Sequence, residues 1–365
     1  MTAATRRLAI LAEGQFGPHH GKTAMGVLRY GPDPTIAVID STNTGRSVRE
    51  WLGDSPRFDV PIVASLAEAL AAGERAGTPV TALLIGIAPT GGRLPDSWRT
   101  AILEAIGGGL DILSGLHTFI GDDPEFAAAA AAAGVEIVDY RRPPEGLGTA
   151  IGRSHGPGKK VILTVGTDCA IGKMSVALEL TRAAIDEGLR AVFVPTGQTG
   201  MMIAGWGIAV DRVISDFSNG AGETLVEEGE ARADWLLVEG QGSLDHPAYS
   251  AVTLGLIHGC TPQAMVMVHK PGLDEHDWDH IEGGHFPIAS LPGYIDLHER
   301  VAAMVAPSKV VAVALNTMLI PDPDEARRVI QETAALTGLP AGDPVRFGPT
   351  PLWDAIRPAV EALVP

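Results

Sequence analysis

The stretch Val161–Leu180, which reads VILTVGTDCAIGKMSVALEL, decides the fold of the second half of the chain. It opens with a β-branched and aliphatic run that ends at Gly166, the pattern of a buried strand. A loop containing Gly172 and Lys173 follows, and the sequence then takes on a helical pattern. This order predicts a phosphate-binding loop, in which backbone N–H groups and a helix N-terminus surround a phosphate and the lysine neutralises it.

The loop departs in two ways from the common phosphate-loop pattern. Five residues separate Gly166 from Gly172, and Met174 occupies the position after Lys173, where a hydroxyl usually binds Mg²⁺. The sequence therefore favours phosphate binding over metal binding; the alternative is a glycine-rich turn whose lysine is only solvated. The residues predicted to hold a phosphate-bearing cofactor are Gly166, Thr167, Asp168, Cys169, Gly172, Lys173, Met174 and Ser175.

Composition and charge indicate a globular protein of about two domains. The 365 residues are 45% hydrophobic and 19% charged, with a formal net charge of −17. That charge argues against a nucleic-acid or anionic-membrane partner, since either needs a basic surface. The two cysteines, Cys169 and Cys260, form no CxxC pattern, and neither a signal peptide nor a membrane span is recognisable. We expect a cytoplasmic homo-oligomer that acts on small molecules.

Strand-like and helix-like segments alternate along both halves of the chain, which predicts an α/β protein with mainly parallel sheets covered on both faces. Apolar runs such as Thr35–Asp40 and Ala82–Ile87 end in polar or glycine-rich turns. The stretch Arg141–Lys160 is rich in proline, glycine and basic residues, which is typical of a linker. The predicted organisation is a first domain over residues 1–145, a linker over 146–160 and a second domain over 161–365.

A second set of polar residues follows apolar runs in the second half. Glu239 comes directly after Trp235–Val238, at the carboxyl edge where open α/β sheets bind ligands. An acid at this place can meet a metal or the reacting group, or it can be a structural cap or salt bridge. Gln241 and Ser243 follow within a glycine-rich segment. Asn316 ends another apolar run and could hydrogen-bond an adenine ring or form a turn.

Histidines also concentrate in the second half. His246 lies close to the second polar set and could move protons. The segment 274–285, DEHDWDHIEGGH, offers possible metal ligands in Asp274, His276, Asp277, Asp279 and His280. Because no HExxH motif and no cysteine accompany them, a polar loop is the favoured interpretation and no metal site is predicted. Cys169 as a nucleophile is a less favoured alternative to its place in the phosphate loop.

The first half contains one candidate anion-binding turn, His19–Thr23, which includes Lys22. The GxGxxG fingerprint of dinucleotide-binding folds is absent, which argues against a nicotinamide cofactor.

Two motifs, GTDCAIGKMS and VEGQGS, resemble those of dethiobiotin synthetase and its relatives. That resemblance implies activation of a carboxylate by ATP and Mg²⁺, but Met174 departs from it at the metal-binding hydroxyl. It leaves an ATP-dependent ligase or kinase as an alternative function, and Mg²⁺ is expected only with ATP under that alternative.

A broader resemblance covers nearly the whole chain. The segments that carry it are KTAMGVLRY, AVIDSTNTGR, GTDCAIGKMSVALEL, PTGQTG, EGQGSLDHPAYSAVTLGLIHG and ALNT. Together they resemble a bacterial and archaeal family, long described as a domain of unknown function, whose members have been assigned as D-glutamate N-acetyltransferases. The resemblance implies a Rossmann-like N-terminal domain, a P-loop NTPase-like C-terminal domain and acetyl-CoA as co-substrate.

Acyl transfer to an amine needs a base, donors for the thioester oxyanion and cations for the acceptor's carboxylates. On this resemblance we predict Glu239 or His246 as the base, and Lys173 opposite the CoA diphosphate. Backbone N–H groups of residues 240–243 could serve the oxyanion. The predicted substrate contacts are Gln241 and Ser243, with Lys22 and Arg46 for the carboxylates. A CoA- or nucleotide-binding protein without turnover is a further alternative.

Overall fold

The computed structural model of the chain describes residues 5–17, 21–87, 92–276 and 286–364. The chain divides into two compact units. The first unit takes the residues up to Arg142 together with Gln198–Arg212, and the second takes Pro143–Gly197 together with the residues from Val213 onward. The predicted boundaries at 145 and 160 stay a prediction.

Each unit is built around a six-stranded sheet in which every strand pair is parallel. The strands of the first sheet are β1 (Leu8–Leu11), β2 (Thr35–Ile39), β3 (Ile62–Val63), β4 (Ala82–Ile85), β5 (Asp111–Ser114) and β6 (Ile137–Asp139). Those of the second are β7 (Lys160–Gly166), β8 (Ala191–Val194), β9 (Trp235–Val238), β10 (Ala264–His269), β11 (Lys309–Leu315) and β12 (Ala341–Gly342).

The helices connect these strands and cover the sheets. In chain order they are α1 (Lys22–Tyr30), α2 (Arg49–Leu52), α3 (Leu66–Arg75), α4 (Arg99–Gly107), α5 (Pro124–Ala133), α6 (Lys173–Asp186), α7 (Gln198–Ala204), α8 (Ser218–Arg232), α9 (Ser250–Cys260), α10 (Leu291–Ala302), α11 (Pro323–Thr337) and α12 (Thr350–Leu363). The predicted α/β class is confirmed.

The order of the strands in each sheet determines which loops lie next to one another at the carboxyl edge. The first sheet has the order β3-β2-β1-β4-β5-β6, which is that of dinucleotide-binding folds. The second has the order β12-β11-β10-β7-β9-β8, so β7 lies inside the sheet between β10 and β9. Nearly all residues of β7, β9 and β10 are buried, as expected for parallel strands covered on both faces. The loops that follow these three strands therefore meet at one edge of the second sheet.

The segment Gln198–Arg212 belongs to the first unit although it follows β8 of the second. Helix α7 packs against α1, where the hydroxyls of Thr23 and Thr199 are 3.1 Å apart. Arg141, which is buried, donates from Nε to the carbonyl oxygen of Gly115 at 2.7 Å and pairs through its guanidinium with Asp211. The predicted second domain, residues 161–365, includes Gln198–Arg212. The order of apolar runs along the sequence does not indicate that this segment packs against the first unit.

Candidate functional site

The predicted phosphate loop forms between β7 and α6. Strand β7 ends at Gly166 and α6 begins at Lys173. Ala170 and Gly172 have φ angles of 51° and 112°, the left-handed region, so the chain turns sharply before the helix. The backbone N–H of Thr167 donates to the carbonyl oxygen of Val268 on β10 at 3.1 Å. The loop therefore begins in register with the sheet and ends at a helix N-terminus, whose first N–H groups have no intrahelical acceptors.

Lys173 directs its side chain back into this loop. Its ammonium donates to the backbone carbonyl oxygen of Asp168 at 2.5 Å, and the residue is only 5% exposed. Met174 and Ser175, the next two residues of α6, are partly buried. The lysine thus lies where a bound phosphate group would need a positive charge.

Two polar side chains from neighbouring strands hold the loop. Asn316, after β11, donates from Nδ2 to the carbonyl oxygen of Ile171 at 2.9 Å and accepts from the N–H of Met318. Thr167 Oγ1 lies 3.0 Å from Nδ1 of His269, whose pKa is lowered by burial. Asn316 is therefore next to the loop, and its amide is bound to the loop's backbone; its contact with an adenine ring stays a prediction.

The second predicted set also lies at this edge of the sheet. Glu239 is buried after β9, and its Oε2 accepts from the N–H groups of Thr196 and Gly197 at 3.0 and 3.1 Å. Gln241 donates from Nε2 to the carbonyl oxygen of Thr196 at 2.6 Å. Ser243 is buried and donates to Oδ1 of Asp245 at 2.7 Å. Glu239 and Gln241 thus position the turn that follows β8.

A carboxylate and two imidazoles converge beside the phosphate loop. Asp168, His246 and His276 are all buried and offer ligand atoms that lie within 4.8 Å of one another. Oδ1 of Asp168 is 3.0 Å from Nδ1 of His276 and 3.9 Å from Nε2 of His246. We call these three residues the Asp–His–His cluster. Asp168 connects the cluster to the loop directly, because it belongs to both, and these side chains could hold a metal ion.

A second layer of polar groups surrounds the Asp–His–His cluster. Nε2 of His276 lies 3.3 Å from Oδ2 of Asp245, and the hydroxyl of Tyr294 donates to the same oxygen at 2.5 Å. Burial and the hydrogen bond to Asp245 both raise the pKa of Tyr294. Tyr294 therefore stays protonated and keeps donating to the carboxylate of Asp245.

His298, on α10 one turn after Tyr294, is a fully buried imidazole. Its Nδ1 lies 2.7 Å from the carbonyl oxygen of Tyr294, which requires the proton on Nδ1. Burial lowers the pKa of His298 to about 4; the charge of Lys173 adds to this effect, while the hydrogen bond to Tyr294 and the charge of Asp245 oppose it. His298 is neutral at physiological pH.

The remaining predicted residues lie in the first unit. Lys22 is the exposed first residue of α1. Arg46 pairs with Glu50, donates to Oδ1 of Asn43 at 3.0 Å and stacks its guanidinium 4.2 Å from the ring centroid of Trp51. His19 and His20 of the predicted anion-binding turn lie outside the described residues, as do Asp277, Asp279 and His280.

Asp40 directly follows β2 in the first unit, where dinucleotide-binding folds often carry an acid for the ribose. Its carboxylate accepts from the N–H groups of Gly14 and Phe16, both at 3.1 Å, and from the side chains of Thr42 and Asn43. Burial raises the pKa of Asp40, but these hydrogen bonds outweigh it and hold the pKa below the usual value. The carboxylate therefore joins two loops of its own unit.

Sequence reasoning missed the roles of Asp245, Tyr294 and His298. Asp245 lies within the quoted segment EGQGSLDHPAYSAVTLGLIHG, where no role was assigned to it, and Tyr294 lies on a helix that was not predicted. His276 was recognised as a possible ligand, but its partners Asp168 and His246 are distant in sequence. The cluster could have been inferred from the sequence in one way: its three residues lie in the segments that follow β7, β9 and β10, which are neighbouring strands of one sheet.

Comparison with known proteins identifies the family of the chain. Residues 148–353 match the C-terminal P-loop domain of DUF1611, described as a domain of unknown function, and residues 41–143 match its Rossmann-like N-terminal domain. The chain belongs to the DUF1611 family. This confirms the resemblance stated on the sequence motifs and the Rossmann-like and P-loop classes of the two domains.

Relatives match the chain over most of its length. A protein of Tritonibacter scottomollicae named D-glutamate N-acetyltransferase is 34% identical over 92% of this chain and 93% of its own length. One of the same name from a Pseudoalteromonas species is 35% identical over 73% of this chain and 78% of its own. A crystal structure of a DUF1611 family protein from Anabaena variabilis covers 97% of this chain and all of its own, with 40% identity and a TM-score of 0.88. Among the described helices, none is both long and apolar enough to cross a membrane.

Proposed function

We propose that this protein is an N-acetyltransferase that moves the acetyl group of acetyl-CoA to the amine of D-glutamate or a related acidic D-amino acid. The names of the two relatives support the reaction class and the acceptor. The structural observation that carries the proposal is the double role of Asp168. This residue belongs to the phosphate loop and also pairs with His276, so a phosphate-bearing donor would bind beside buried acid and base groups.

The loop suits the diphosphate of CoA. Lys173 and the N-terminus of α6 supply positive charge at the place where the loop would surround two phosphate groups. No phosphoryl group is transferred in this reaction, so no γ-phosphate has to be activated. Met174 in place of the usual hydroxyl is therefore compatible with the proposed donor.

The reaction joins the amine nitrogen to the acetyl carbonyl carbon and breaks the carbon–sulfur bond, with CoA leaving as a thiol. The amine must lose a proton, and Glu239 and His246 are the proposed acceptors for it. Glu239 is held by two backbone N–H groups, which fixes its carboxylate in one position. The backbone N–H groups of residues 240–243 are proposed to stabilise the oxyanion.

The acceptor's carboxylates require cationic or N–H partners. Lys22 and Arg46 are the proposed cations, with Gln241 and Ser243 as further polar contacts. Arg46 already pairs with Glu50 on the surface, so it would have to exchange that partner for the substrate. An exposed ion pair of this kind contributes little stability, and the exchange is energetically accessible.

A thiol-release assay tests the proposal. The purified protein is incubated with acetyl-CoA and D-glutamate, free thiol is followed with a chromogenic reagent, and N-acetylglutamate is identified by mass spectrometry. We expect one thiol released per N-acetylated product, with L-glutamate and D-alanine as acceptor controls. A parallel reaction with ATP, Mg²⁺ and D-glutamate is followed for ADP.

The alternatives give different results in the same assay. Formation of ADP without thiol release would support an ATP-dependent ligase or kinase. Binding of CoA without turnover of any acceptor would support a protein that only binds the nucleotide or CoA. Either result would overturn the transferase proposal.

A further inference from the structure

We propose that the Asp–His–His cluster is a binding site for a divalent transition-metal ion. The ligand atoms are Oδ1 of Asp168, Nε2 of His246 and Nδ1 of His276. This site goes beyond the acetyl transfer proposed above and does not depend on it. It also differs from the sequence-based prediction of no metal, which considered the segment 274–285 as one loop rather than its contacts with distant residues.

The spacing of the three atoms fits a common ion. Oδ1 of Asp168 and Nδ1 of His276 are 3.0 Å apart, which is close to the separation of two neighbouring ligands on an ion with bonds of about 2.1 Å. Nε2 of His246 is 3.9 Å from the same oxygen, and all three atoms lie within 4.8 Å of one another. An ion placed among them would draw Nε2 of His246 closer to Oδ1 of Asp168 than the present 3.9 Å.

Burial makes a cation at this place favourable. The side chains of Asp168, His246 and His276 are 0%, 1% and 1% exposed. A carboxylate removed from water is stable only when a positive charge or several hydrogen bonds compensate it. The carboxylate of Asp168 accepts from the N–H of Cys169 at 2.7 Å, and a divalent ion would add positive charge at the centre of the cluster.

Asp245 would orient one of the ligands. If His276 binds the ion through Nδ1, its remaining proton is on Nε2, which lies 3.3 Å from Oδ2 of Asp245. The two atoms are not aligned for a hydrogen bond in the described arrangement, so the ring would have to turn on binding the ion to make one. The hydroxyls of Tyr294 and Ser243 in turn hold Asp245. A carboxylate that accepts the second ring N–H of a ligating histidine is a usual companion of protein metal sites.

The donor set selects the class of metal. Two imidazole nitrogens and one carboxylate oxygen suit Zn²⁺ and its neighbours in the first transition row, whereas Mg²⁺ and Ca²⁺ prefer oxygen ligands. Three protein ligands also leave a coordination position for water or a substrate atom. The site therefore differs from the Mg²⁺ site of phosphate-loop enzymes, which uses the hydroxyl that Met174 replaces.

The three ligands do not contribute equally. The N–H of Ala248 approaches Nδ1 of His246 at 3.1 Å, so this nitrogen accepts a hydrogen bond in the described arrangement. A metal on Nε2 would leave the ring proton on Nδ1, and the contact with Ala248 would have to open. We therefore expect loss of His276 to weaken the site more than loss of His246. As a ligand, His246 would not be the base of the acetyl transfer, and Glu239 would remain the proposed base.

A shared proton, rather than a metal ion, is the competing explanation for the close approach of the three side chains of the cluster. His276 could carry protons on both nitrogens and lie as a cation between Asp168 and Asp245. Against this, Nε2 of His276 makes no hydrogen bond of acceptable geometry with any described residue, although it lies 3.3 Å from the oxygen of Asp245. A cation held by two carboxylates should donate well-aligned hydrogen bonds to both.

Direct metal titration tests the site. The full-length protein is stripped with a chelator and titrated with Zn²⁺ by calorimetry and with Co²⁺ by visible absorption, and the bound metal is counted by mass spectrometry. We expect one ion per chain for the wild type. His276→Gln should weaken binding by more than about 100-fold, since changes to residues that merely orient ligands already cost 10–100-fold. His258→Gln is the matched control and should bind normally, because His258 lies outside the cluster and contacts the carbonyl oxygen of Val301.

A second variant keeps the test decisive if His276→Gln fails to fold. Tyr294→Phe removes one of the two hydroxyls that hold Asp245 and should weaken Zn²⁺ binding by about 10-fold. The proposal is overturned if the wild type binds no stoichiometric ion, if His276→Gln folds and binds as tightly as the wild type, or if His276→Gln does not fold and Tyr294→Phe binds as tightly as the wild type. Metal binding is measured without acetyl-CoA, so its outcome is separate from that of the thiol-release assay.

Discussion

The ammonium of Lys173 donates a hydrogen bond to the backbone carbonyl oxygen of Asp168, five residues earlier in the chain. This contact holds the lysine inside the loop that it would serve. Two further hydrogen bonds fix the loop: the amide of Asn316 donates to the carbonyl oxygen of Ile171, and the N–H of Thr167 donates to the carbonyl oxygen of Val268 on β10. A phosphate ligand would therefore meet groups that are already ordered, and little conformational entropy would be lost on binding.

Replacing Lys173 by methionine should weaken CoA binding by about 10- to 100-fold, because a hydrogen bond to a charged group contributes about 1.5–3 kcal/mol. Isothermal titration calorimetry with CoA measures the change. Lys309→Met is the control, since Lys309 is on the surface and pairs with Glu299. Unchanged affinity in Lys173→Met, with the fold intact by circular dichroism, would show that CoA binds elsewhere.

Asn316→Ala should lower the free energy of unfolding by about 1 kcal/mol, since the carbonyl oxygen of Ile171 loses its amide donor. The less ordered loop should also bind CoA more weakly. Urea denaturation measures the first effect and calorimetry the second. If Asn316 instead acts only on the adenine ring, the variant will keep its stability and lose affinity for CoA alone.

Gly240→Ala should destabilise the second unit strongly, by about 3 kcal/mol or more, because an added Cβ would lie 1.6 Å from the carbonyl oxygen of Thr164 on β7. Gly107→Ala is the control: nothing lies within 4 Å of the position that its new methyl group would take, and alanine favours the helix. Thermal unfolding of the two variants measures the contrast. Equal stability of both would mean that β7 and the segment after β9 are not packed as described.

His298 should make the protein less stable in acid. Burial lowers the pKa of His298 to about 4 in the folded chain, whereas in the unfolded chain the imidazole has its ordinary pKa of 6.5. Between these two pH values the unfolded chain therefore binds more protons than the folded chain. The stabilisation is complete above pH 6.5 and is lost as the pH falls toward 4, by an amount on the order of 3 kcal/mol.

Urea titrations at several pH values between about 4 and 7.5 measure this dependence. His298→Gln removes the titrating group, and its stability should change less steeply over the same pH range. A slope identical to that of the wild type would assign the acid sensitivity to other groups.

The alternation of apolar runs and helical segments predicted the α/β fold because buried parallel strands leave a strong local signal. Strand β9 has the residues of the apolar run Trp235–Val238, and β2 and β4 lie within the runs Thr35–Asp40 and Ala82–Ile87. Helices α9 and α10 were not predicted. Helix α9 is apolar on most of its surface and has no polar stripe, and α10 begins with Leu291-Pro292-Gly293, which resembles a turn although proline is well tolerated at a helix start.

The site was only partly predictable. The phosphate loop and Glu239 follow strands directly, so their position at the sheet edge could be inferred from the sequence. The pairing of Asp168 with His276 could not, because 108 residues separate them and only the strand order β10-β7-β9 brings their segments together. The roles given to Glu239, His246, Lys22 and Arg46 stay predictions.

The path of the chain through Gln198–Arg212 has a consequence for synthesis. A ribosome releases the chain from its N-terminus, and the first unit lacks α7 and the Asp211 partner of Arg141 until residue 212 has emerged. By then β7, α6 and β8 of the second unit have also left the ribosome. The first unit therefore cannot finish folding before part of the second unit has been synthesised, and a fragment that stops at residue 145 would leave the α7-facing surface of α1 uncovered.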